Sequence, residues 1–149
     1  MRVLILADAF FASRERTLLS RLEIGLVDEG VRVIHAVPDG MGADLASVYS
    51  KVISYSPRTL TITRPLAARR MAREITNAGD APGGDHATLD IVHVFGGSVW
   101  GLGAAVAHEL GAALVLEVWR AGLASRARTD KWPGEAGPLF IAPDETIER

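Results

Sequence analysis

The sequence predicts an α/β fold: a doubly wound, mostly parallel sheet covered on both faces by helices to make three layers. Three observations predict it. Short, nearly continuous apolar runs such as Val3 to Ala7 and Ala113 to Val118 have the composition of strands buried on both faces. Between them lie longer segments whose apolar residues recur every three or four positions, as on one face of a helix. Gly30 and Gly111 each stand between such a segment and the next strand, where a left-handed residue closes a helix. Strand and helix in alternation give a Rossmann-like sheet with right-handed crossovers.

The first strand, Val3 to Ala7, leads into a loop, "DAFFAS". From about Arg14 to Glu29 the positions Leu18, Leu19, Leu22 and Leu26 repeat at helical spacing, with Ser13 placed to cap the start and Gly30 just past the end. The second strand, "VRVIHAV", stops at Pro38, Asp39 and Gly40. In the middle, "KVISYS" and "TLTIT" both read as short strands separated by Pro57, and Arg64 to Ala78 reads as a helix carrying Arg69, Arg70 and Arg73. The turn-rich stretch "NAGDAPGGDHAT" is a surface connection within one domain. Regular alternation then resumes with a strand at Asp90 to Phe95, a helix at Ser98 to Leu110 ended by Gly111, and a strand at Ala113 to Val118. A polar loop, "WRAGLASRARTDKWPGEAG", reaches a last strand at Leu139 to Ala142. No repeat of fixed period is present.

A chain of 149 residues suits a single domain spanning 1–149. Lys and Arg total 16 against 18 Asp and Glu, a formal charge of −2, so the chain as a whole does not attract nucleic acid. The absence of cysteine excludes disulfides, thiolate nucleophiles and cysteine metal sites, and fits a cytoplasmic protein. The four histidines, at 35, 86, 93 and 108, have no ligand spacing, so neither a metal nor another cofactor is expected. The apolar run at Val3 to Ala7 is too short for a membrane span or a signal-peptide core.

If the strand order is 3-2-1-4-5, Val3 to Ala7 and Asp90 to Phe95 lie side by side where the winding reverses. Ligands of such sheets bind there, outside the carboxyl ends of the strands. The stretch "DIVHVFGGSVWGLG" then faces the loop Asp8 to Ser13 across a crevice that also includes Trp119.

The stretch "DIVHVFGGSVWGLGAAVAHELGAALVLEV" resembles the N-terminal domain of family-four retaining glycosyltransferases of GT-B architecture, as does the first crossover ending in "GVRVIHAVP". That resemblance spans nearly the whole chain. It implies a two-domain enzyme in which this half holds mainly the sugar acceptor, while a C-terminal domain holds mainly the nucleotide-sugar donor. The ending "PLFIAPDETIER" fits a strand and helix start that lead onward, as in a fragment of such an enzyme, and the chain alone is then expected to be inactive. Three positions depart from the family pattern. The family's Gly-Gly after the first strand reads "FFASRE" here, with Ser13 and Arg14; the second histidine of its H-x-H is Phe95; and its fifth-strand histidine is replaced by Trp119. His93 alone matches. A nucleotide-sugar epimerase half-domain and a stand-alone flavodoxin-like binding or regulatory module are the alternatives.

Each candidate residue has a functional and a structural reading. Gly96, Gly97 and Ser98 open a helix whose free N–H groups suit an anion or a sugar hydroxyl, or they form a turn with a serine cap. Asp8 either accepts from acceptor hydroxyls or caps its loop, and Phe10 with Phe11 either stacks on a ligand or covers the edge of the core. His93 is a ligand contact or a hydrogen-bonded core histidine. Glu117, a carboxylate in an apolar strand, is either a substrate contact or half of a structural ion pair, for which Arg120 or Arg126 could supply the partner. The segment Ser56 to Thr76 carries Arg58, Arg64, Arg69, Arg70 and Arg73 against a single Glu, a solvated helix face or a patch for weak contact with an anionic membrane.

Overall fold

The computed structural model describes residues 1–45, 47–57, 63–77, 88–133 and 137–142. Its strands are β1 (Arg2–Ala7), β2 (Arg32–Pro38), β3 (Ser50–Tyr55), β4 (Ile91–Phe95), β5 (Ala113–Glu117) and β6 (Leu139–Ile141). The helices are α1 (Ala9–Arg14), α2 (Arg16–Asp28), α3 (Arg64–Asn77), α4 (Trp100–Leu110) and α5 (Ala121–Thr129), with a 3-10 turn at Ala43–Leu45. The six described strands form one sheet in the order β3-β2-β1-β4-β5-β6, and every neighbouring pair is parallel. The fold is therefore the expected three-layer, Rossmann-like α/β sheet. Its order contains the expected 3-2-1-4-5, with β6 added at the edge, and differs from the flavodoxin-like 2-1-3-4-5.

Alternating residues of the central strands feed two cores. Val3, Ile5, Ala7, Val33 and Val37 meet Phe11, Ala12 and Leu19 from α1 and α2. Leu4, Leu6, Val92, Val94 and Leu116 meet Ala68, Met71 and Ile75 from α3 and Trp100 and Val106 from α4. β1 is buried along its whole length because helices cover it on both sides. Arg2 begins it with a buried guanidinium that donates to the Ile75 carbonyl at 3.0 Å, tying the sheet to the end of α3.

Gly30 and Gly111 take the left-handed conformation, with φ of 75° and 63°, and close α2 and α4 as their positions predict. Four local expectations need correction. "DAFFAS" is not a loop: the chain turns at Asp8 alone and enters α1. Ser13 does not cap the next helix; its hydroxyl donates back to the Ala9 carbonyl at 2.7 Å inside α1. Ser98 does not cap α4, whose N-cap position is Val99. The polar stretch after β5 holds α5, whose Leu123, Ala124 and Ala127 pack on the core beneath a charged outer face. Of the expected strand "TLTIT", residues 59–62 lie outside the described residues, as does Arg58.

Candidate functional site

The carboxyl ends of β1, β4 and β5 meet at the reversal of winding, and a crevice of about 530 Å³ opens there. That volume is within the roughly 300–1,000 Å³ of small-molecule sites. Its wall is laid down by the residues that end these strands.

Asp8 ends β1. Its backbone N–H donates to the Phe95 carbonyl at 2.9 Å, continuing the β1 and β4 pairing by one step. Oδ1 accepts from the N–H groups of Phe10 and Phe11 at 3.1 and 3.2 Å, and Oδ2 accepts from the Ser98 hydroxyl at 2.9 Å. Asp8 thus caps α1 and pins the loop after β4. Gly96 follows from that contact: its φ is +103°, and a Cβ there would fall 2.0 Å from Asp8 Oδ2. No side chain fits. Gly96, the first of the two glycines that interrupt "DIVHVFGGSVWGLG", therefore lets a carboxylate lie against the backbone.

Gly97 faces α5. Its carbonyl accepts from Arg126 Nη1 at 2.9 Å, and the same guanidinium pairs with Asp130 at 3.1 Å and lies 5.2 Å from the centre of the Trp100 ring. Aromatic rings supply the apolar wall. Trp119 and Phe10 remain 36% and 48% exposed, while buried Phe11 meets Trp119 edge-on at 5.5 Å and Phe95 at 5.6 Å. Arg120 extends over the Phe10 ring at 5.9 Å.

Behind Phe95 lies a part-buried histidine–glutamate hydrogen bond. His93 Nε2 is 2.7 Å from Glu117 Oε1, and the imidazole lies 4.5 Å from the Phe95 ring. The partner of Glu117 is thus His93, not Arg120 or Arg126, because Arg120 at the N-cap of α5 and Arg126 further along the helix both face the crevice. Tyr55 supports the same end of the sheet by donating from its hydroxyl to the Ala7 carbonyl at 2.8 Å. Burial, reinforced by the charge of Asp8, pushes the Tyr55 phenol well above its usual range, so it stays a donor.

The structure brings Asp8, Phe10, Gly96, Gly97, Ser98, Trp119 and Arg120 to one crevice, with His93 and Glu117 one layer beneath. Ser13 and Arg14 do not line it. Glu15, Leu123 and Arg126 line it and were not among the candidates for ligand contact. Glu15 is one helical turn past Phe11, and Leu123 and Arg126 lie on a helix that the sequence hides. Arg69 and Arg70 of the basic segment stand elsewhere, on the exposed face of α3, paired with Glu109 at 3.3 Å and Glu74 at 3.0 Å. Among the described residues no three His, Asp or Glu side chains gather as metal ligands, and no helix is long and apolar enough to cross a membrane.

No protein-family model and no curated protein sequence matches the chain.

Proposed function

We propose that the crevice holds the sugar acceptor of a cytoplasmic GT-B glycosyltransferase, of which this chain is the acceptor-side domain. The observation that carries the reading is the joining of a half-exposed aromatic wall, Trp119 and Phe10, to polar groups from three strand ends. Aromatic faces stack on the C–H faces of sugars, and neighbouring carboxylate and guanidinium groups hydrogen-bond their hydroxyls.

Asp8 argues against the nucleotide alternatives. A dinucleotide-binding turn leaves helix N–H groups free for a pyrophosphate and uses glycines to let it approach. Here the Phe10 and Phe11 N–H groups already bond a carboxylate, and the turn contains no glycine. A phosphate at that point would have to displace Asp8. The epimerase reading loses its cofactor grip, and the donor phosphates of the transferase reading belong on the second domain. The reaction moves a sugar from a nucleotide-sugar to an acceptor hydroxyl, with retention in the family that the chain resembles. Its stabilisation of leaving-group charge requires closure of both domains.

The isolated chain accordingly folds, transfers no sugar, and binds nucleotide-sugars no better than about millimolar, near −4 kcal/mol. Tryptophan emission tests the reading because Trp119 borders the crevice while Trp100 is fully buried. Monosaccharides should perturb the emission, and Trp119→Leu should abolish the response. Micromolar binding of a nucleotide-sugar would assign the donor site to this half and overturn the proposal. A separate and weaker proposal concerns α3, whose Arg69, Arg70 and Arg73 are exposed. The helix should bind anionic vesicles at low salt and release them as screening sets in, the Debye length falling to about 10 Å at 0.1 M; absence of sedimentation with vesicles at low salt would remove it.

A further inference from the structure

We infer that the crevice selects a hydroxylated ring bearing one acidic group, with the acid held by Arg120 and ring hydroxyls by Glu15. This deepens the acceptor reading above and rests on it.

The charged groups around the crevice fall into two kinds. Asp8 and Arg126 are already engaged: Asp8 accepts from two backbone N–H groups and Ser98, and Arg126 bonds Asp130 and the Gly97 carbonyl. Their role is to hold the wall. Glu15 and Arg120 are different. Glu15 occupies the N-cap position of α2 yet makes no side-chain capping bond. Arg120 occupies the N-cap position of α5, likewise without a capping bond, and its guanidinium lies over the Phe10 ring. Neither forms a side-chain hydrogen bond or ion pair among the described residues, although both line the same crevice.

A free carboxylate and a free guanidinium that share a cavity without pairing mark two places for a ligand. The carboxylate accepts from a hydroxyl, and the guanidinium binds an acid through two parallel N–H bonds. Charge then fixes the direction. Both carboxylates of the crevice, Asp8 and Glu15, come from the end of β1 and from α1, and both guanidiniums come from the start and middle of α5. An acid is repelled from the first group and drawn to the second, while Phe10 and Trp119 supply the face on which the ring lies. A neutral sugar leaves Arg120 without a counter-charge. A nucleoside diphosphate brings more negative charge than one free guanidinium can balance beside two carboxylates.

The experiment is calorimetric titration of the full chain with glucose 6-phosphate, glucuronate, glucose and uridine monophosphate. The acidic sugars should bind at least about tenfold more tightly than glucose. Arg120→Gln should erase that preference, whereas Glu15→Gln should weaken acidic and neutral sugars alike. Arg120 is exposed, and Glu15 is half-buried without a side-chain partner among the described residues, so melting temperatures should be little changed. Should either variant fold poorly, competition on the unaltered chain decides instead: inorganic phosphate should displace glucose 6-phosphate and leave glucose bound. Vesicles containing phosphatidylinositol separate a lipid headgroup from a free acid, and Arg120-dependent binding to either source supports the inference. Equal affinity for glucose and glucose 6-phosphate, or a preference that survives Arg120→Gln, overturns it and leaves the acceptor reading standing. Binding of uridine monophosphate alone, with no sugar bound, overturns the acceptor reading itself.

Discussion

Two histidine–glutamate pairs lie on the same face of the sheet, one on each side of β1. His35 on β2 and His93 on β4 are both in register with Ile5, so the two imidazoles lie at one level, two strands apart. Each bonds a glutamate, at 2.9 Å to Glu23 and 2.7 Å to Glu117. Their surroundings differ. His35 is fully buried under α2, and its glutamate also accepts from the Ser47 hydroxyl, closing the group off from solvent. His93 keeps 15% of its side chain exposed and lies directly behind the aromatic wall of the crevice. The same chemistry therefore lies in the closed core on one side and behind the crevice on the other, and access to solvent separates the two settings.

The ionisation of the closed pair shows what enclosure does. Burial pushes the His35 imidazole below its ordinary value of 6.5, outweighing the bond and charge of Glu23 that favour the protonated form. Burial alone would raise the Glu23 carboxyl, but hydrogen bonds from Ser47 and His35 outweigh it and leave the group below its ordinary 4.5. The pair rests as a neutral imidazole donating to a carboxylate.

Breaking the closed pair should have the largest effect. His35→Ala leaves Glu23 as a buried charge with only hydroxyl partners and should cost about 3 to 5 kcal/mol, which is on the order of 10 °C in a melt of a domain this size. A loss under about 1 kcal/mol would show the pair to be solvated after all. Gly96→Ala tests the crevice side. Its Cβ would meet the Asp8 carboxylate at a backbone φ that disfavours any side chain, so about 2 kcal/mol and the sugar response of Trp119 should be lost together. An unchanged chemical-denaturation midpoint would contradict the contact.

His93→Ala should cost less than His35→Ala, about 1 to 2 kcal/mol, because water can enter the vacated space and hydrate Glu117. Equal costs for the two variants would erase the distinction between closed and open pairs. The pH dependence is smaller still. An imidazole depressed in the folded state takes up its proton more readily when unfolded, so the stability it contributes is complete above pH 6.5 and declines as pH falls below it. That slope cannot exceed about 1.4 kcal/mol per pH unit for one proton, and Glu23 adds a further loss only below 4.5. Urea titrations at pH 7.5 and 5.5 should show the decline in the parent chain and little of it in His35→Gln.

The two pairs were not equally legible in the sequence. Glu117 stands out because an acid near the end of an apolar strand must be paired, yet its partner could not be read off, since His93 is 24 residues away and meets it only across neighbouring strands. Glu23 gave no such signal: within a helical pattern an acid looks like part of the solvated face. The strand order and the meeting of Asp8, Gly96 and Trp119 followed from the alternation of elements, because ligand crevices of such sheets are fixed by topology. α5 was hidden because "AGLASRART" contains Gly122 and few apolar residues, and its stability comes from Leu123 and Ala124 packing on the core. With α5 hidden, Arg126 and Leu123 could not be placed in the crevice.

Amide and indole chemical shifts recorded during addition of glucose 6-phosphate test the central claim most directly, since they report where a ligand sits. The largest changes should fall on Gly96, Gly97, Ser98 and the Trp119 indole, with His93 responding and His35 unmoved. Changes concentrated instead on Asp39, Ser56 and Arg70, which line the cleft between β3 and α3, with the Gly96 to Ser98 loop silent, would contradict the account.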